Sequence, residues 1–328
     1  MPELQPVLRV DGLRKSFALK SSAPRLPGRR EKPRLMALDG LSLGLANGSV
    51  VGVAGESGSG KSTLAKCLVG LLKPDAGTIR YRDNHVGRAH GKQLMTLRRQ
   101  MQLIYQNPYS SLNPLMDVGE AIAEPAWVHG LIERRERHTF AREQLRLVNL
   151  APELATRRPD ELSGGQRQRV AIARAMAAQP HVLIADEAVS GLDVSAQARI
   201  LDLFAALRQE RGLGILFISH QLSVLARIAD TVMIMYLGRV VESGPASRVF
   251  SAPAHPYTAG LLAAQPGAHR RGQRKVPALY GEIPSPLEIP SGCRFRTRCP
   301  RAQALCAEVD PPRVEVSPGH AAWCHFAA

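Results

Sequence analysis

Apolar and polar positions change their period several times along the chain. Residues 7–19 mix β-branched, aromatic and basic side chains in short alternation around Asp11-Gly12, which predicts a strand region with a turn. Leu41 to Leu45 alternates strictly, Asn47-Gly48 marks a turn, and Val50 to Ala54 is a continuous apolar run, the signature of a parallel strand buried on both faces. A Gly-rich stretch follows, then a helical pattern from Ser62 to Leu72 that Pro74 and Gly77 close off. Residues 107–165 read as helical and polar, and the charge run Glu133 to His138 fits a solvated helix face. A further helix starts at Ser163 and runs through Arg167 to Gln179, and apolar strands recur at Val182 to Ala185 and Ile215 to Ser219.

Alternating strands and helices predict an α/β fold with a mostly parallel sheet covered by helices, an antiparallel region near the N-terminus and a helical subdomain around 107–165. Beyond residue 253 prolines recur and apolar runs shorten, which divides the chain into 1–252 and a C-terminal extension, 253–328. Residues 20–36 are polar, basic and Pro-containing, as an exposed inserted loop would be.

Composition narrows the class. Apolar residues make up 45% and aromatics only 5%, so the core is aliphatic. The formal net charge is +15, compatible with a polyanionic partner or with an arginine-biased composition. No segment reaches the roughly 18 to 20 apolar residues of a membrane helix, because the most apolar stretch, Leu213 to Leu237, is interrupted by His220, Gln221, Arg227 and Asp230. The N-terminal residues lack the basic head and apolar run of a secretory signal. A cytoplasmic chain that meets a membrane only through partners is expected.

The Gly-rich stretch, Gly55-Glu-Ser57-Gly58-Ser-Gly60-Lys61-Ser62, fits G-x-x-x-x-G-K-S between a predicted strand and a predicted helix. Glycines let the backbone N–H groups wrap a phosphate, and the following helix points its positive end at the same place. Lys61 adds charge at the β- and γ-phosphates, and Ser62 offers its hydroxyl to Mg²⁺. Asp186-Glu187 closes the strand from Val182: Asp186 suits the Mg²⁺ shell, and Glu187 can polarise an attacking water.

The order of the remaining motifs is more specific than any one of them. Gln106 follows an apolar strand, then come Leu162-Ser163-Gly164-Gly165-Gln166, Asp186-Glu187, Ser190-Gly191-Leu192-Asp193, and His220 after a strand. Over residues 7–250 this resembles the nucleotide-binding subunit of ABC transporters, with a P-loop NTPase cassette fold. The resemblance implies ATP and Mg²⁺ as cofactors and ATP hydrolysis as the activity. It implies that Phe17 stacks on adenine, that Gln106 reaches Mg²⁺ and senses the membrane subunits, and that His220 holds the γ-phosphate and orients Glu187. Ser163 and Gly165 would contact the γ-phosphate bound by the other subunit, and Asp193 lies in the loop linking two sites. Ser57, Thr63, Gly164 and Gln166 fall inside the same nucleotide-contacting motifs. Ala188 and Gln221 depart from the Pro and Asp common among relatives; neither departure removes a reacting group.

Tyr105 to Pro114, His255-Pro-Tyr-Thr258, Gly281 to Pro286 and Gly292 to Pro300 are together similar to the oligopeptide/dipeptide/nickel importer ATPases. Tyr109 and the basic loop resemble the second, F-type ATPase of that pair. The implied assembly is a second ABC ATPase, two transmembrane permease subunits and an extracytoplasmic solute-binding protein, with this chain peripheral at the cytoplasmic face of the inner membrane. No nucleic-acid partner is expected, because no heptads separate Lys61 from Ser163 and the chain holds one cassette.

Cys293, Cys299, Cys306 and Cys324 crowd the C-terminus, while Cys67 stands alone. Five, six and seventeen residues separate successive members of the group, so the Cys-x-x-Cys knuckle of structural zinc sites is missing. Four thiolates without a close pair suit an iron–sulfur cluster, and some peptide-importer ATPases resembling this chain carry [4Fe–4S] in the matching extension. Zinc, helped by His320 or His325, and no metal at all are the alternatives.

Overall fold

A computed structural model of the chain describes residues 6–18, 34–107, 111–265, 279 and 281–327. Most of the basic loop, residues 20–33, and Pro108, Tyr109 and Ser110 of the Tyr105 motif lie outside the described residues.

Strands β1 (Leu8–Ala18), β2 (Arg34–Leu45), β4 (Ala76–Tyr81) and β5 (Asn84–His85) form an antiparallel sheet in the order β2-β1-β4-β5. The turn expected at Asp11-Gly12 is instead a bulge within a continuous strand. The register against β2 slips between Val10 and Leu13, and Gly12 takes the left-handed φ of 57° that such an irregularity favours. Strand β2 also starts earlier than the alternation at Leu41 suggested, because pairing with β1 carries it back to Arg34.

The second sheet has eight strands. β3 (Val50–Ala54), β6 (Met101–Ile104), β7 (Val182–Asp186), β8 (Gly214–Ile218) and β9 (Thr231–Tyr236) run parallel in the order β9-β3-β8-β7-β6. Every residue of β3, β7 and β8 is buried, which is why they read as unbroken apolar runs. Beyond β9 the sheet turns antiparallel through β10 (Arg239–Pro245), β12 (His320–Trp323) and β11 (Arg313–Ser317).

Helix α1 (Lys61–Leu68) is shorter than its pattern predicts, because Gly70 at φ 69° breaks it and the amides of Leu71 and Leu72 fold back to the Lys66 carbonyl. Helix α2 (Gly91–Gln100) leads into β6. The helical region holds α3 (Val118–Val128), capped by Asp117, and α4 (Arg137–Leu147), which pack on α5 (Gly164–Ala177) through Ile122, Ala126, Ala141, Leu145 and Val170. Of the charge run, Arg134 to Glu136 forms an exposed 3₁₀ turn ahead of α4. Helix α5 stops before Gln179, whose φ of 52° ends the spiral. The helices α6 (Val194–Arg211), α7 (Leu222–Ile228), α8 (Ala246–Ser251), α9 (Pro256–Ala263) and α10 (Leu305–Glu308) follow among the described residues.

Two apolar cores flank the large sheet. One joins α1 to the N-terminal sheet through Leu38, Leu64 and Leu68; the other contains Phe204, Phe217 and Tyr236, and the C-terminal Tyr257 and Phe295 are buried within it. The C-terminal segment thus adds both strands and core side chains to the same body. Its tie is polar as well. Glu242, fully buried on β10, accepts hydrogen bonds from the amides of Ala254 (2.8 Å) and His255 (3.0 Å), and its Oε1 stands 2.7 Å from His320 Nε2. Glu242→Ala leaves these groups without an acceptor in a dry site. It is expected to cost about 3 kcal/mol of stability, read as a fall in the denaturant midpoint.

Candidate active site

The carboxyl ends of the parallel strands lie along one edge of the sheet, the usual ligand position in open α/β sheets. From β3 the chain enters the phosphate loop, where Gly55, Gly58 and Gly60 have φ of 152°, 78° and 104°. A Cβ on Gly55 would lie 2.2 Å from the Met235 carbonyl oxygen, and one on Gly60 would lie 2.2 Å from that of Ala37. Only glycine permits these contacts. Gly60 also caps α1, so the loop hands its amides to a helix N-terminus. Ser57 and Ser62 are exposed and Thr63 is half-buried at that end.

Lys61 is buried, and its Nζ donates to the carbonyls of Gly55 (2.7 Å) and Glu56 (2.8 Å) and to Ser59 Oγ (3.2 Å). Burial lowers its pKa, while Glu187, Asp186 and Glu56 act in the opposite sense. The ammonium therefore sits in the field of the carboxylates predicted to share its site.

Asp186, at the end of β7, has a pKa raised by burial first and by the neighbouring Glu187, with a Ser62 hydrogen bond opposing. Its Oδ1 is buried without a hydrogen-bond partner. A buried carboxylate oxygen left unmatched beside a serine hydroxyl is the donor set a hard cation takes, so the residues fit Mg²⁺. Glu187 adopts φ 50°, a conformation costly for a side-chain-bearing residue. Its amide donates to the Ile218 carbonyl at 2.9 Å, fixing it beside the end of β8. There Gln106 Nε2 donates to Glu187 Oε2 at 2.8 Å, and His220 Nδ1 lies 3.3 Å from the same oxygen. Three residues from three strand ends thus meet on one carboxylate oxygen.

Phe17 is 37% exposed near the end of β1, with Lys15 Nζ 5.6 Å from its ring centroid. Among the described residues it belongs to neither apolar core. Ser163 caps α5 in a reciprocal box: its amide donates to Gln166 Oε1 (2.8 Å) and its Oγ accepts from the Gln166 amide (3.3 Å). Ser163, Gly164, Gly165 and Gln166 line an open pocket with Arg169, Leu192 and Asp193, and no phosphate-loop residue belongs to it. Asp193 caps α6, and hydrogen bonds from Ser195 and the Ala196 amide lower its pKa. Gln221 accepts from Gln197 Nε2 at 2.8 Å.

The chain matches the ABC transporter family profile over residues 38–190, and the oligopeptide/dipeptide transporter C-terminal region over 241–306. A probable peptide ABC transporter ATP-binding protein of Sinorhizobium fredii is 42% identical over 98% of this chain and 90% of its own length. The chain belongs to the ATP-binding proteins of ABC transporters, in the oligopeptide/dipeptide branch. The di/tripeptide transport ATP-binding protein DppF of Pseudomonas aeruginosa is 43% identical over 90% of this chain and 91% of its own length. A solved dimeric ATP-binding cassette in a post-hydrolysis state, bound to ADP and Pi, superposes with a TM-score of 0.64 at 26% identity, over 73% of this chain and 98% of that one. An ABC ATPase works with ATP and Mg²⁺. Among the described residues, no helix is long and apolar enough to cross a membrane.

The C-terminal cysteines are free thiols, half-buried except for buried Cys306. Burial pushes Cys293 up to about 11 and also raises Cys299 and Cys324, and each feels the charge of others in the group. Among the described residues, no group of three or more His, Cys, Asp or Glu side chains stands ready around a metal ion. His320 is engaged with Glu242, and His325 Nε2 is 3.0 Å from the Val309 carbonyl oxygen.

Sequence reasoning missed the contacts of Glu56, whose partners Tyr257 and Arg298 lie 201 and 242 residues away. No local pattern announces them, although both partners sit in segments that resemble the importer family. Gly60→Ala, by forcing about 2 kcal/mol of backbone strain on the loop, is expected to weaken ATP binding roughly thirtyfold, measured by nucleotide titration of the full chain.

Proposed function

We propose that this ATPase powers the uptake of short peptides, or of a related small solute, through partner permease subunits fed by an extracytoplasmic binding protein. The meeting of Gln106 and His220 on Glu187, beside the unmatched oxygen of Asp186, carries the reading. The named relatives and the C-terminal region supply the peptide. In this reading residues 1–252 are the nucleotide-binding domain and 253–328 an importer-type extension. The chain sits at the cytoplasmic face of the inner membrane.

Each side chain then has a task. Phe17 stacks on adenine. The amides from Gly55 to Thr63 and the Lys61 ammonium hold the phosphates, while Ser62, Asp186 and Gln106 surround Mg²⁺. Glu187 takes the proton of the attacking water, with His220 fixing both Glu187 and the γ-phosphate. Ser163, Gly164, Gly165 and Gln166 complete the phosphate cage of a partner, and Asp193 links the two sites. Two facts support a second cassette, a different ATPase chain in this branch. The pocket at Ser163 is separate from the phosphate loop, and charge developing on a transferred phosphoryl group calls for donors from both sides.

Cys293, Cys299, Cys306 and Cys324 are the proposed holders of a [4Fe–4S] cluster, which would staple a segment poor in apolar residues. Four free thiols in one segment, with the Cys293 amide donating to the Cys306 carbonyl at 2.8 Å, support this reading. A single zinc ion needs its ligands within about 2.3 Å of one centre, and neither histidine offered for it is free.

Glu187→Gln should abolish turnover in the assembled transporter while preserving ATP binding, whereas Lys61→Ala should weaken binding itself. Near-normal turnover by the Glu187 variant would remove the assignment. Anaerobically purified chain should be brown, with about four iron and four sulfide per chain. Colourless protein lacking both elements would eliminate the cluster, and one zinc per chain would replace it.

A further inference from the structure

Every polar group of Glu56, the second residue of the phosphate loop, is held. Its amide donates to the Tyr257 hydroxyl at 2.9 Å. Its carboxylate receives both ends of the Arg298 guanidinium, at 2.7 and 3.0 Å. Its carbonyl accepts from Lys61 Nζ at 2.8 Å. Two of these three partners belong to the C-terminal segment, and the third is the lysine that meets the phosphates.

The grip is rigid. The Arg298 side chain is only 4% exposed and lies 5.8 Å from the centroid of the Tyr236 ring. Tyr257 is fully buried, and its ring centroid lies 4.8 Å from that of Tyr236 and 5.3 Å from that of Phe295. Phe295 and Arg298 both fall between Cys293 and Cys299, and Arg294 of the same segment donates to the Leu237 carbonyl and to Asp39 behind the loop. Bidentate guanidinium–carboxylate pairing fixes orientation as well as distance, and a partly buried pair is screened less than an exposed one. A loop whose second residue is fixed at amide and carboxylate presents its remaining amides in one arrangement. It loses less freedom when a triphosphate arrives.

We infer that Arg298 and Tyr257 are positioning residues for the phosphate loop, acting through Glu56, so that the cysteine-bearing segment sets the affinity of this chain for ATP. The inference rests on the ATPase reading and adds to it a second role for the C-terminal segment: supporting the nucleotide site. By reciprocity, bound ATP also favours the docked segment.

The test is titration of the full chain with a fluorescent ATP analogue, and steady-state ATPase measurement in the assembled transporter. Arg298→Ala should raise the Kd about tenfold, and Arg298→Lys and Tyr257→Phe about threefold each, in keeping with lost pre-organisation. In the transporter KM should rise while kcat at saturating ATP stays within about twofold, because Gln106, Glu187 and His220 stand on other strand ends; a merely unstable protein would lose both. Glu56→Ala combined with Arg298→Ala should weaken binding no more than either change alone. A Kd within twofold of the parent in Arg298→Ala, or full additivity in the double variant, overturns the inference. Should Arg298→Ala fail to fold, Tyr257→Phe decides, since it removes one oxygen and leaves the packing; an unchanged Kd there also overturns the inference. Failure of the parent chain to bind ATP would overturn the ATPase reading together with this one, whereas parent-like variants overturn only this one.

Discussion

The closest constraint in the molecule is backbone against backbone. The phosphate loop runs so near two neighbouring strands that Gly55 faces the Met235 carbonyl and Gly60 faces that of Ala37, each at a distance no Cβ could tolerate. The Gly238 amide donates to the Ser59 carbonyl, and the Asp39 amide donates to the Gly238 carbonyl. The loop, the N-terminal sheet and the turn after β9 are therefore one hydrogen-bonded knot. The position of Lys61, the start of α1 and the seat of the C-terminal segment all follow from it. Glycine is required here for approach as much as for φ.

Around that knot, adjacent residues in sequence diverge in environment. Asp186, the last residue of β7, is buried beside Ser62, while Glu187, turned by its left-handed backbone, reaches Gln106 and His220. Two neighbouring carboxyl groups thus stand in different surroundings, one buried beside a serine hydroxyl and the other bonded to two polar side chains. Backbone strain at Glu187 is tolerated because its amide and carbonyl are both bonded, the latter to Ser190.

What could be read in the sequence was what short segments decide. Val50 to Ala54, the glycine loop and the capping box at Ser163 each carry their structural reason within a few residues, and the structure places them accordingly. Gln106 and His220 were legible only through the order of motifs, because nothing local distinguishes them from surface side chains. The bulge at Gly12 and the early end of α1 depended on strand register and on Gly70, which periodicity does not resolve. The Glu56 contacts were invisible for a simpler reason. They are made by chain that arrives some two hundred residues later, and an isolated Arg or Tyr carries no address.

The junction between β10 and β12 has a consequence for the unfolded side of the molecule's life. Only two residue pairs, Glu242 with Ala322 and Ser243 with Ala321, form that ladder, and the strand beneath it carries Val240 and Val241. A strand left at the border of a sheet offers unpaired amides and carbonyls to any passing chain. While β12 is docked it covers that side of β10, and the short β11 becomes the outer strand. Were the short ladder to fray under heat or force, the newly bared rim would recruit other molecules.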